Sequence, residues 1–204
     1  MSSGRRDRVS RNAKGVSSAV ADIRVGSHAI LWYRTDDARN RATVDFLKNG
    51  DKKDDLLAVI LPLPEMRGLG KTLAQEGFPI EEASNDGRFL MFASYEFMPS
   101  KPISTRKLRM ALRNLQSTAR ADNRGVSVIS GIGTELLGQD NPKGALAIER
   151  ACGVLEANAR LLCLYDARTI VGTERGYQAQ IDRVHNQSLV EDTKGTLKAS
   201  RTPE

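Results

Sequence analysis

"HAILWYRTDDARNRATVDFLKNG", His28 to Gly50, decides the fold class. The run His28 to Tyr33 is apolar and aromatic, the composition of a buried strand. Thr35 is placed to cap a helix. Asp36 and Asp37 fall in the first turn, where unpaired N–H groups and the helix dipole favour negative charge. Ala38, Ala42, Phe46 and Leu47 supply an inward face at helical spacing, and Asn49-Gly50 ends the pattern. A buried strand followed directly by an amphipathic helix is a βα unit.

The same alternation continues along the chain. "LLAVILP" from Leu56, "RFLMFAS" from Arg88, "GVSVIS" from Gly125 and "LLCLYD" from Leu161 read as further strands. Between them, a helix is expected from about Leu69 to Glu76, stopping at Gly77, with "FPIEEA" extended after it. Asn85-Asp86-Gly87 is a turn signal. Ser104 is expected to cap a long helix with Leu108, Ala111, Leu112, Leu115 and Ala119 inward and Arg106, Lys107, Arg109, Arg113 and Arg120 on its other face. Asn141-Pro142 opens another helix, with Ile148, Cys152 and Leu155 inward. A last helix, about Glu174 to Asn186, buries Tyr177, Ile181 and Val184. Apolar strands alternating with helices predict an α/β fold, a mostly parallel doubly wound sheet with helices on both faces. In such sheets ligands bind outside the carboxyl ends of the strands. Here those ends are Tyr33-Arg34, Leu61-Pro62, Ser94-Tyr95, Ser130-Gly131 and Tyr165-Asp166.

Gly70-Lys71-Thr72 has the ending of a phosphate-binding loop, GxxxxGK[ST]. The required first glycine is Glu65, however, a carboxylate where phosphate would sit, and Pro62 and Pro64 remove backbone donors nearby. The motif reads as an ordinary helix start, with Gly68 and Gly70 making the turn.

The chain has 204 residues, 40% hydrophobic and 27% charged, which suits one medium globular domain with tails. Residues 1–22 read as a disordered basic arm, 23–187 as a single domain, and 188–204 as a flexible polar tail. No apolar run is long enough to cross a bilayer, and the basic N-terminus leads into no signal-peptide core, so a cytoplasmic location is expected. Cys152 and Cys163 read as buried thiols on a helix and a strand, with no metal spacing and no disulfide. The net charge of +6 raises nucleic acid as a partner, but no DNA-binding motif accompanies it.

Several landmarks together resemble the MEDS family, the methanogen/methylotroph DcmR-type sensory domains. They are the His28–Ile60 stretch, "LAQEGFPIEEASNDGRF", "GVSVISGIG", "AIERACGVLEAN" and "LLCLYD", covering roughly Ser27 to His185. His28 with Tyr33, and the "LCLYD" strand, are the most specific pieces. The resemblance implies a RecA/KaiC-like fold without its phosphate loop. A KaiC-like chain would carry that loop after the first strand, where "YRTDDAR" stands here with no glycine and two acids. It also implies a non-catalytic sensory or regulatory role: recognition of a small molecule, hydrocarbon-derived or another signal, and signalling to a partner such as a kinase or transcription regulator. Such output modules are often joined to the domain, and none is expected within this chain. Family members commonly place an acid in the turn after "SVIS"; here Ile132 stands there, with Glu135 nearby.

The residues expected to bind a ligand are Tyr33, Tyr95, Glu96, Tyr165, Asp166 and His28. No cofactor, metal or catalytic constellation is expected. Strand parity puts His28 and Tyr33 on opposite sheet faces, so Tyr33, at the carboxyl end, is the better ligand contact, and His28 anchors the sheet. Asp166 reads chiefly as a turn cap, Glu149 and Glu156 as solvent-exposed, and His185 as a surface or helix-end residue. The alternatives are a degenerate nucleotide-binding protein and a nucleic-acid-associated basic protein.

Overall fold

The computed structural model describes residues 19–98, 105–154, 157–170 and 176–200. Seven strands form one sheet in the order β3-β2-β4-β5-β1-β6-β7: β1 His28–Tyr33, β2 Leu56–Leu61, β3 Phe89–Ala93, β4 Val126–Ser130, β5 Ala159–Asp166, β6 Gln187–Glu191 and β7 Leu197–Ser200. All pairs are parallel except β6 with β7. The parallel strands β1, β2 and β4 are buried along their whole length, as strands covered on both faces must be.

Helices cover both faces. On one side lie α1 Asp36–Asp51, α2 Leu63–Gln75 and α3 Ile80–Asn85, packing Phe46, Leu47, Leu69, Leu73 and Ala83 with Leu31, Leu57, Val59 and Leu162. On the other lie α4 Thr105–Ala121, α5 Ile132–Gly138, α6 Pro142–Cys152 and α7 Tyr177–Arg183, packing Leu112, Leu136, Ile148 and Ile181 with Ile30, Ala58, Val128 and Leu161. This is the α/β doubly wound architecture expected from the alternation of strand and helix.

The caps form where the sequence placed them. Thr35 accepts from the Ala38 amide at 3.2 Å, and Asn141 from the Gly144 amide at 2.9 Å. Leu108, Leu112, Leu115 and Ala119 of α4 are buried, and its arginines are exposed.

Four expectations fail. Leu63-Pro64 starts α2, with Pro64 at a permitted first-turn position, so Gly68, Gly70 and the GKT sequence lie inside a helix instead of opening one. "FPIEEA" is largely helical, as α3, because Ile80 and Ala83 sit one turn apart and Gly77, at φ +70°, ends the preceding helix. The segment from residue 188, expected to be flexible, forms most of a β-hairpin. The side chain of Asp192 accepts from the amides of Lys194 and Thr196, and Gly195 takes φ +74° to complete the turn. Ordered packing also starts earlier than Ile23, since Ala19 and Val20 are buried. Most of the basic arm, the Ser104 cap, Leu155, Glu156 and the Glu174 helix start lie outside the described residues.

Candidate functional site

The carboxyl end of β1 is ringed by charge. Tyr33 and Asp166 are neighbours across the β1–β5 pair, on the face that carries α1 and α2. Tyr33 is 2% exposed, and the Arg39 guanidinium lies 5.7 Å from its ring centroid. Arg39 also pairs with Glu65 of α2 at 3.4 Å and Asp36 at 3.7 Å. Arg168 pairs with Asp166 at 2.6 Å and with Asp36 at 3.7 Å. Burial, reinforced by the Glu65 charge, pushes the Tyr33 hydroxyl up to about 12. Burial likewise raises Glu65 against the pull of Arg39. For Asp166 burial is outweighed by hydrogen bonds from Arg168, which lower it. Asp166 also accepts from the Arg168 amide at 2.8 Å, the turn-capping role expected of it.

The loop between β1 and α1 is closed from within. Glu191 at the end of β6, 2% exposed, accepts through Oε2 from the amides of Arg34 at 2.6 Å and Thr35 at 2.9 Å. Its Oε1 accepts from the Thr35 hydroxyl at 2.8 Å. A carboxylate of the chain itself thus holds the N–H groups at the start of α1, the kind of donor that binds anions at helix N-termini.

The opposite face holds a second polar cluster, and it carries His28. As strand parity requires, His28 shares its face with Ile30 and Trp32, and Tyr33 points the other way. His28 Nε2 lies 3.1 Å from Glu149 Oε2 and 3.3 Å from Cys163 Sγ. The Cys163 thiol donates to the same Oε2 at 3.1 Å, and the Tyr165 hydroxyl donates to Oε1 at 2.7 Å. His185 completes the group: its ring lies 4.1 Å from that of His28, and its Nε2 is 3.2 Å from Glu149 Oε2. Asn186 fixes the two histidines together, accepting from the His28 amide at 3.0 Å through its side chain while its own amide donates to the His28 carbonyl at 3.0 Å. Space for the Tyr165 hydroxyl and the carboxylate comes from Gly133 of α5, where a Cβ would collide with both.

Burial alone would raise the Glu149 pKa, but the two imidazoles outweigh it and hold the carboxyl below its usual range. Burial pushes the Tyr165 hydroxyl up, reinforced by the Glu149 charge. For Cys163 burial likewise acts upward, with the hydrogen bond to Cys152 next. Both expected thiols are buried and free of disulfide.

The six expected residues therefore separate. Tyr33 and Asp166 meet on one face, and His28 and Tyr165 meet through Glu149 on the other. Tyr95 and Glu96 lie beyond β3, four strands from β1 and so roughly 19 Å away at the usual strand spacing. Tyr95 is 58% exposed, and the Glu96 carboxylate accepts from the Ala93 amide at 3.0 Å, closing its own turn. Glu135 is bonded by the Ser94 hydroxyl. Two expectations are overturned: Glu149, read as exposed, is 1% exposed, and His185, read as a surface residue, is 3% exposed. Glu149 carried a readable signal. It lies four residues after Ala145 and three before Cys152, on the inward face of α6.

No curated protein matches the sequence. Among solved structures, the fold is similar to three proteins of Pyrococcus horikoshii. An uncharacterized protein crystallised in complex with an unknown peptide has a TM-score of 0.61 at 14% identity, over 91% of this chain and 86% of that one. A protein from a structural study has a TM-score of 0.59 at 10% identity, over 95% and 93%. A KaiC-like protein has a TM-score of 0.56 at 12% identity, over 85% and 77%. At such identities the likeness shows the fold, which is RecA/KaiC-like. Residues 27–186 match the family described as MEDS, "MEthanogen/methylotroph, DcmR Sensory domain", and the chain belongs to that family of sensory domains.

Proposed function

We propose that this domain is a non-catalytic sensor that recognises a small molecule and passes its bound state to a partner protein, such as a kinase or a transcription regulator. The carrying observation is the Glu191 carboxylate on the amides of Arg34 and Thr35. A triphosphate entering the β1–α1 loop would have to displace a buried carboxylate and then face Asp36, Asp37 and Glu65. The GKT sequence offers no second chance, because its backbone is engaged within α2. What remains at the strand ends is a half-buried ring of alternating charge around Tyr33, suited to orienting a small polar or partly apolar ligand.

Equilibrium dialysis with ATP and magnesium tests the first half of the reading. No retention of nucleotide at millimolar concentration is expected. Saturable ATP binding, or hydrolysis lost in Lys71→Ala, would overturn it. A thermal-shift screen of small alcohols, halogenated methanes and short organic acids tests the second half. A ligand that binds only the native state raises the melting temperature, and Tyr33→Ala should diminish that rise.

A further inference from the structure

The cluster on the opposite face supports a conclusion that goes beyond the sensory reading and does not rest on it. We propose that His28, Glu149, Cys163 and His185 form a binding site for a divalent first-row transition ion, with zinc the ion their donor set suits best.

The donors are two imidazole nitrogens, a thiol and a carboxylate, the side chains that bind zinc in tetrahedral sites. Their four ligand atoms all lie within 4.8 Å of one another, and all four residues are buried. Bonds of about 2.0–2.3 Å in a tetrahedron put neighbouring ligand atoms roughly 3.3–3.8 Å apart. The separations around Glu149 Oε2 are 3.1 Å to His28, 3.1 Å to Cys163 and 3.2 Å to His185, and His28 to Cys163 is 3.3 Å. Four of the six ligand-atom separations are thus close to the spacing that one shared ion imposes, and the other two, from His185 to His28 and to Cys163, stay within 4.8 Å. They come from β1, α6, β5 and the second residue beyond α7, so the framework holding them is rigid.

Hydrogen bonding accounts for part of the cluster. The Cys163 thiol and the Tyr165 hydroxyl donate to Glu149, and His28 Nε2 is placed to do so. It leaves His185 unexplained. His185 Nδ1 lies 2.7 Å from the Ile181 carbonyl, which can only accept, so Nδ1 carries the proton. In the neutral ring Nε2 then bears a lone pair. That atom sits 3.2 Å from a carboxylate oxygen, fully buried and without a hydrogen-bond partner among the described residues. A positive charge between them resolves that contact: a second proton on the imidazole would pair His185 with Glu149 alone, whereas a metal ion also takes up the His28 nitrogen and the Cys163 sulfur. An imidazole whose outer nitrogen donates to a backbone carbonyl is also how protein frameworks orient a metal-binding histidine. Tyr165 and Gly133 support the carboxylate in the same way, the hydroxyl fixing Oε1 so that Oε2 faces the other ligands. A cavity of about 220 Å³, lined in part by His28, Cys152, Val184 and Asn186, offers an entry path. On binding, Cys163 releases its thiol proton to solvent and Glu149 binds as the carboxylate.

Elemental analysis of the purified full-length chain, with cobalt(II) as a spectroscopic substitute for zinc, tests the site. The expected result is one ion per chain, a melting temperature lowered by a chelator and restored by zinc, and a cobalt spectrum with a thiolate charge-transfer band. Cys163→Ser should abolish that band, and Cys152→Ser, at the neighbouring thiol, should keep it. His185→Gln should weaken zinc at least tenfold. If Cys163→Ser does not fold, His28→Gln reads the same quantity from the cavity side and should also weaken zinc. Wild-type protein without stoichiometric metal and without a response to zinc overturns the proposal. So does a thiolate band that survives Cys163→Ser or vanishes only in Cys152→Ser.

Discussion

At the residue scale, what could be read ahead of the structure depended on whether a side chain's partners were local. The opposition of His28 and Tyr33 follows from strand parity alone, and the structure has it. The Thr35 cap is equally local. Glu149 was obscured by its charge, because a lone acid on a helix is usually solvated, although Ala145 and Cys152 mark its face as buried. His185 gave a weaker sign. It stands beside Val184 and four residues after Ile181, but at the end of its helix, and only the packing of α7 against α6 and β1 brings it to His28. Tyr33 yields a pH prediction. Its folded pKa of about 12 lies above the ordinary tyrosine value of 10.0, so the fold favours the neutral hydroxyl. The native state then holds more protons than the unfolded chain between those values. That contribution is fully present below pH 10 and is lost as pH rises toward 12. Chemical denaturation at pH 9 and at pH 11 should therefore show a steeper loss for wild type than for Tyr33→Phe. Equal slopes would mean that the hydroxyl is not held neutral by the fold.

At the element scale, long periodic segments were legible and punctuated ones were not. The strands and α4 declare themselves through repeated apolar positions. α2 was read as shorter because Gly68 and Gly70 looked like a turn before it, whereas the helix already starts at Leu63-Pro64, where a first-turn proline lacks only an N–H that would be unpaired anyway. The C-terminal hairpin was hidden by polar composition. Its alternation from Ser188 to Glu191 and the Asp192–Gly195 turn would have exposed it. The helical assignment of the GKT segment makes a definite forecast. Gly70 lies inside α2, and a Cβ there would meet nothing within 4 Å. Gly70→Ala should therefore stabilise the domain by about 0.5–1 kcal/mol, read from the urea midpoint, because alanine loses less backbone entropy in a helix. A phosphate loop could not tolerate that change, so a clear loss of stability would count against the helix.

At the scale of the whole molecule, the sheet order makes the two ends of the chain meet. β1 lies between β5 and β6, so the first strand is completed by one of the last. His185 and Glu191 reach opposite faces of β1 from that C-terminal segment, one at the buried cluster and one at the β1–α1 loop. The stretch from residue 188 read as a flexible tail because nothing local reveals that its partners lie more than 150 residues earlier. Removing residues 187–204 should abolish cooperative unfolding, since it strips β6 and β7 from β1 and leaves buried backbone unpaired. Glu191→Ala is the finer probe. It leaves the amides of Arg34 and Thr35 without their acceptor and should lower stability by about 1–3 kcal/mol. Glu191→Gln keeps one acceptor oxygen and should lose less. Deleting residues 1–15 is the contrasting case, for that stretch is polar and basic and offers little apolar area to bury. Its melting temperature should stay within about 2 °C of wild type, a shift worth at most about 1 kcal/mol. A chain ending at Asn186 that melts like wild type would show that β1 does not depend on its C-terminal neighbour. The same result would remove Glu191 as the group that closes the loop.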